Sequence, residues 1–281
     1  MQPEVFLAIV ACAAVHAAWN SFLKIKTDPA VATTMLAIGG GVVATVALFF
    51  TGMPQPAAMP FIAASATIHI FYWSYLGKSY SMGDLGQVYP IARGCAPLLT
   101  ALGAIIFARE YPPLTAWIGI LTVVMGVLII ALRGGRGIAW LDRKVVAFSI
   151  VTAFTITGYS LVDGIGARHT DSAFGYIAFL YVCNGWTLLI YGLVKQRQAL
   201  VEAIDANWHL GLLTGAMSLL GYGVGIWAMT KAPIAQVAAL RETSIVFALI
   251  FAMLLLKEPF RPARTAGACV VCAGLFFIRL A

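Results

Sequence analysis

Charge is scarce in this chain. Of its 281 residues only 10% are Asp, Glu, Lys or Arg, and 61% are hydrophobic; a soluble domain carries about 25% charged residues. That scarcity excludes a water-soluble globule and leaves a polytopic membrane protein. Long polar connections are lacking too. The longest runs from Arg133 to Arg143, so neither face has room for a soluble domain. Catalytic signatures are missing: there is no H-E-x-x-H, no G-x-S-x-G, no acidic pair on one helix and no P-loop. An enzyme is therefore not expected, nor a nucleotide site in this chain, nor any cofactor. The net charge of +7 comes without a basic stripe interleaved with aromatics, so nucleic acid is not an expected partner. The basic residues sit singly, where they set orientation and meet lipid headgroups. Five cysteines lie in apolar segments, and the Cys269–Cys272 pair lacks the further ligands that a zinc site needs. The first apolar segment lacks a basic n-region and reads as a mature span, not a cleavable signal.

What is present is a series of apolar stretches of transmembrane length. Ten are expected, at about 4–24, 31–52, 57–77, 84–107, 112–132, 144–165, 173–194, 209–230, 234–256 and 262–280. The fold class is all-α: ten transmembrane helices in two inverted five-helix repeats, residues 1–138 and 139–281. The joints are short, which sets consecutive helices antiparallel. One motif occurs twice. Gln87-Val88-Tyr89-Pro90-Ile91-Ala92-Arg93 leads through an apolar run to Arg109-Glu110, and Gln236-Val237-Ala238-Ala239-Leu240-Arg241-Glu242 leads to Lys257-Glu258. Arg93 to Arg241, Glu110 to Glu258, Gly119 to Gly267 and Gly126 to Gly274 all differ by 148. An odd number of spans per copy inverts the second copy, and in inverted-repeat transporters the substrate site lies near the midplane between the repeats. The glycines, with Gly211/Gly215 and Gly221/Gly225, are spaced for close helix packing.

Loop charge gives an orientation. Loops after odd spans carry twelve Lys and Arg, and those after even spans with the C-terminus carry four. The positive-inside rule then puts the odd loops in the cytoplasm and both termini outside, in the periplasm of a bacterial inner membrane.

Charges inside spans are expensive and mark function by default. Arg93 lies about 13 Å into its helix at 1.5 Å per residue, where an Arg costs about 2.5–3.5 kcal/mol on insertion scales. Arg241 is similarly deep and is followed by Glu242. Adjacent helical residues point about 100° apart, so Glu242 is better placed to pair with Arg93 across the pseudo-twofold axis than with Arg241. These three either bind substrate or lock the halves together. A kink at Pro90 brings Gln87 and Tyr89 toward Arg93, and Gln236 occupies the repeat position of Gln87. Aromatic and polar residues cluster mid-span: His16, Trp19 and Asn20; His69, Tyr72 and Trp73; Tyr159, Ser160 and Asp163; Tyr222 and Trp227. A wet, aromatic-walled cavity is the functional reading, and packing or an interfacial belt is the bland one.

The ten short spans, Ala17-Ala18-Trp19-Asn20 in the first of them, and the paired Arg109-Glu110-Tyr111-Pro112 and Lys257-Glu258-Pro259-Phe260 signatures resemble the drug/metabolite transporter superfamily, specifically its EamA-type ten-helix members. The resemblance covers the whole chain. It implies a single-chain permease, a monomer in the simplest case, that moves a small metabolite by alternating access. The YddG-like exporters of aromatic and other amino acids are one branch of it that the chain resembles weakly. The four-helix multidrug relatives rely on a Glu in the first span, whereas residues 5–23 here hold no acid; Glu242 or Asp163 is then the coupling group, or export is facilitative. Export of amino acids, aromatic ones included, is the first expectation. An anionic substrate read by both arginines and proton-coupled drug efflux are the alternatives within the class. A lipid scramblase or structural membrane protein is the alternative outside it.

Overall fold

The computed structural model describes residues 1–23, 29–82, 85–133, 143–254, 257 and 261–281; of these, the side chains of 20–23, 29, 30, 74, 76–82, 85–91, 131–133, 144 and 145 are left aside. The described residues are helical with no strand. The helices are α1 (Pro3–Leu23), α2 (Pro29–Thr51), α3 (Met59–Met82), α4 (Leu85–Gly103), α5 (Leu114–Arg133), α6 (Arg143–Gly166), α7 (Ala173–Lys195), α8 (Arg197–Met229), α9 (Ile234–Arg241), α10 (Thr243–Leu254) and α11 (Pro262–Leu280). Among the described residues, six segments are long and apolar enough to cross a membrane: 31–51, 146–169, 173–195, 197–229, 234–254 and 262–280. Shorter apolar helices cover 3–19, 92–108 and 114–130. In hydrocarbon a backbone must satisfy its own hydrogen bonds, and these helices do so internally.

Two of the expected spans differ in detail. The eighth is longer than 209–230, because α8 starts at Arg197 and turns at Asn207 (φ −142°, ψ 28°). In its first turns Leu200 is fully buried and packs with Ala203 and Ile204 against Val31 and Met35 of α2. Spacing of i, i+3 and i+4 makes this an amphipathic segment docked on the bundle, and its polar residues hid it from a search for long apolar runs. The ninth stretch is apolar throughout, yet the helix breaks within it at Glu242, between α9 and α10.

Small residues set the helix contacts. A methyl group on Gly119 would lie 2.9 Å from the Gly274 carbonyl oxygen, and one on Gly274 would lie 2.8 Å from that of Gly119. Gly126 and Gly267 meet in the same reciprocal way, each 2.8 Å from the other's carbonyl oxygen. Ile130 fills the space over Gly267 as Ile278 does over Gly119, and Val123 over Gly274 as Val271 does over Gly126. Each neighbour and its counterpart are 148 residues apart, so α5 and α11 exchange identical contacts, as a local twofold axis requires. Arg109 and Lys257, also 148 apart, share a left-handed backbone (φ 53° and 52°). A second seam joins α2 to α7 and α8, where Gly41 lies against Gly185, and Gly39 and Gly40 against Gly211 and Gly215.

Candidate substrate cavity

α1, α4, α8 and α9 enclose a cavity of about 10 Å³, lined by Ile9, Cys12, Ala13, His16, Arg93, Gly221, Gly225 and Arg241. That is room for about one water. One of the two glycines has a visible role here. Gly225 leaves space for the Arg241 side chain, whose Cδ would be 3.2 Å from a methyl group at that position.

The break at Glu242 arranges the charges. The Glu242 N–H is bonded to the Ala239 and Leu240 carbonyls, the Ile245 N–H is bonded to the Glu242 carbonyl at 3.0 Å, and the Thr243 hydroxyl donates to the Leu240 carbonyl. These i→i+3 bonds tighten the chain and change its direction. Arg241 ends α9 and faces the cavity. Glu242, 4% exposed, accepts from the Arg93 Nε at 3.1 Å, and Arg93 Nη2 donates to the Ser244 hydroxyl at 3.2 Å. Arg93 of α4 is thus tied to the second half while still lining the cavity. The Arg241 guanidinium lies 4.8 Å from the centre of the Tyr222 ring, a cation–π contact.

Behind Tyr222 is a second polar centre. Asp163 of α6 is fully buried and accepts the Tyr176 hydroxyl at 2.9 Å and the Tyr222 hydroxyl at 2.5 Å. An aromatic group surrounds it: His69 stacks on Tyr159 with centroids 4.4 Å apart, and Tyr159 meets Tyr72 and Tyr222 edge-on, each at 5.6 Å. The His69 Nδ1 is 2.9 Å from the Ser65 carbonyl oxygen. Across the cavity Trp19 packs edge-on against His16 at 4.9 Å; it is 8% exposed, and its indole N–H has no hydrogen-bond partner among the described residues.

At the end of the bundle where α4, α6 and α8 finish, α4 runs into a π-helical turn (Ala104–Ala108) and Arg109 takes the left-handed conformation. This delivers Glu110 to Arg168, which donates from Nη2 at 2.6 Å, and to the Ile234 N–H at 2.8 Å, a free donor at the start of α9. Arg168 also donates to the carbonyls of Met229 (2.8 Å) and Ala232 (3.2 Å). One carboxylate and one guanidinium thus tie together the ends of α4, α6, α8 and α9. Gln55 bonds to Asp171, and Phe61 stacks on His169 at 4.9 Å nearby.

Of the residues singled out from sequence, Arg93 and Arg241 line the cavity, and Glu242 and Tyr222 touch them. Tyr159, His69 and Tyr72 form the aromatic group beside it. Trp19 sits behind His16. Ser160 and Gln236 are buried but not part of the cavity lining, and Trp227 packs between the two main apolar clusters. Asn20, Gln87 and Tyr89 lie outside the described side chains. Sequence reasoning missed Ser244, Tyr176 and the Glu110–Arg168 tie. It also read Gly221 and Gly225 as packing residues only. The lone acid in the sixth span was the available signal for Tyr176, since a buried carboxylate needs donors.

An all-helical bundle of long apolar helices with few buried charges defines a class, the multi-pass membrane proteins. Residues 143–280 match the model of the EamA-like transporter family, a likeness consistent with the drug/metabolite transporter superfamily. The family is one of multi-pass membrane transporters. A solved crystal structure superposes on 100% of this chain and 99% of its own with a TM-score of 0.77 at 14% identity. At that identity the likeness concerns the fold alone.

Proposed function

We propose that the chain is a permease of the bacterial inner membrane that exports small amphipathic metabolites, amino acids first among them, by alternating access. In this reading ten spans form two inverted repeats, 1–138 and 139–281, in a monomer with both termini in the periplasm. The reciprocal contacts of Gly119, Gly126, Gly267 and Gly274 and the matched backbones of Arg109 and Lys257 support the repeat.

One observation carries the substrate reading. Two guanidinium groups, Arg93 and Arg241, reach the same cavity, and the two nearby carboxylates, Glu242 and Asp163, are turned away from its lining. The cavity therefore favours a carboxylate. A carboxylate docks on a guanidinium in bidentate fashion, and the Trp19 indole N–H is a spare donor next to His16. The Tyr222 ring supports Arg241 at the cavity wall, with Tyr159, His69 and Tyr72 packed behind it. The cavity is small here, and the Glu110–Arg168 tie joins helix ends at one end of the bundle.

A second reading has the same observation behind it. Two cations without a lining acid also suit a substrate of higher negative charge, such as a phosphonate or sugar acid. The test is uptake into proteoliposomes of labelled amino acids and of these anions, with and without an imposed pH gradient. Saturable uptake of neutral or aromatic amino acids is expected, lost in Arg241→Ala protein that remains folded. Uptake of the anions alone selects the second reading. No uptake of either, or a folded scrambler of fluorescent lipid, overturns both.

A further inference from the structure

We propose that Asp163, with Tyr176, Tyr222 and His69, is a proton-binding site separate from the substrate cavity, and that its loading is coupled to the cavity through Tyr222. The inference rests on the reading of the chain as a transporter.

The geometry starts from an ion without a counter-ion. Asp163 has no exposed surface and lies inside the membrane-spanning part of α6. The ion pairs among the described residues join Arg93 to Glu242 and Arg168 to Glu110, and neither involves Asp163. Its partners are hydroxyls: Tyr176 from α7 at 2.9 Å and Tyr222 from α8 at 2.5 Å, with the Ser65 side chain from α3 also bonded. The charged and titratable groups facing it are few. His69 of α3 is its electrostatic neighbour, and Tyr159 lies one helical turn earlier on α6. Arg93 of α4 and Arg241 of α9 act on Tyr159, and Arg241 acts on Tyr222, so both arginines face the rings that stand between them and Asp163. A charged carboxylate held this way in hydrocarbon is costly, and taking up a proton removes the cost. The hydroxyl donors favour the charged carboxylate and burial favours the neutral one, so the two forms are in competition, and the sodium arm of the test below separates a proton from a metal cation.

The link to the cavity is one side chain. The Tyr222 hydroxyl holds Asp163, while its ring supports the Arg241 guanidinium at 4.8 Å. When Asp163 gains a proton its pull on the Tyr222 hydroxyl weakens, the ring is freer to move, and Arg241 loses a fixed platform. When Arg241 engages a substrate carboxylate, the effect runs in reverse. Reciprocity of this kind is required of any coupling between two sites. No covalent bond changes; one proton moves between water and the Asp163 carboxylate in each cycle.

The test uses purified full-length protein. Infrared difference spectra taken from acid to alkaline pH are expected to show a protonated carboxyl band that disappears in Asp163→Asn. In Tyr222→Phe, which removes one hydroxyl bond to the carboxylate, the pH at which the band titrates is expected to move by about one unit or more. In proteoliposomes, wild-type protein is expected to accumulate labelled phenylalanine under a pH gradient and not under a sodium gradient. Asp163→Asn is expected to lose the accumulation and keep phenylalanine counterflow. Gradient-driven accumulation that persists in Asp163→Asn overturns the proposal, as does accumulation driven by sodium. If wild-type protein moves no phenylalanine in either mode, the substrate reading fails and the infrared result decides this proposal alone. A band unaffected by Asp163→Asn overturns it. If that variant does not fold, an unmoved band in Tyr222→Phe does the same.

Discussion

Alanine at any one of Gly119, Gly126, Gly267 and Gly274 is expected to destabilise the protein by a similar amount, because the four positions make two equivalent contacts, each seen from both sides. A methyl group at each would meet a backbone carbonyl oxygen of the facing helix at 2.8–2.9 Å, whereas ordinary contact begins near 3.4 Å. The obstacle is backbone and cannot rotate away. The helices must part by about 0.6 Å (3.4 − 2.8) along the seam, and a gap of about 0.5–1 Å forfeits a quarter to a half of each dispersion well that it opens. Overpacking of this kind costs about 1–3 kcal/mol. Thermal unfolding in detergent is the assay, with a fall of about 2–4 °C expected for each kcal/mol. Double variants sharpen the test. Gly126→Ala with Gly267→Ala falls on a single contact, so the second methyl enters space that the first has opened and the costs do not add. Gly119→Ala with Gly126→Ala falls on two contacts about 10 Å apart along the helix, and the costs add to within about 0.5 kcal/mol. Full additivity for the Gly126/Gly267 pair, or a wild-type transition for any single variant, would refute the packing described here.

Two further outcomes are expected. Arg93→Ala leaves Glu242 buried without its partner and is expected to cost about 3–5 kcal/mol, much of it recovered in the double variant Arg93→Ala/Glu242→Ala; thermal unfolding checks both, and an equally unstable double variant counts against the ion pair as the cause. Single cysteines at Met53, 61% exposed, and at Arg197, in an otherwise cysteine-free chain, are expected to label differently in intact cells. An impermeant maleimide reaches the first and not the second if the odd loops are cytoplasmic, and the reverse pattern overturns the orientation drawn from loop charge.

Much of the fold was legible because hydrocarbon is a demanding solvent. It admits long apolar helices and few charges, so apolar length marks helices, and the spacing of 148 marks the positions that α5 and α11 bring into reciprocal contact. The same constraint exposed Arg93, Arg241, Glu242 and Asp163, since each is costly where it stands. The expected Arg93–Glu242 pairing is present at 3.1 Å, and both arginines line one cavity. What escaped was local backbone geometry. The break at Glu242 and the π-helical turn before Arg109 come from a few backbone bonds inside apolar sequence, and no periodicity reports them. The amphipathic start of α8 escaped for the opposite reason, since its polar face dilutes the hydropathy on which span-finding relies.

The sequence by itself determined the solvent, the helical class, the paired motif and the short roster of buried charges, because each follows from composition or from spacing along the chain. Only the tertiary structure decided which partner each charge takes. Arg168 is 58 residues from Glu110, and Glu242 is 149 from Arg93, and nothing along the chain ranks one distant carboxylate over another. It also decided that Gly225 makes room for Arg241, that Ser160 and Gln236 stand apart from the cavity, and that Tyr222 connects Asp163 to it. These are outcomes of helix rotation and crossing, set when small residues let backbones approach; a turn of one helix by a single residue moves a side chain by 100° and reassigns every partner on that face.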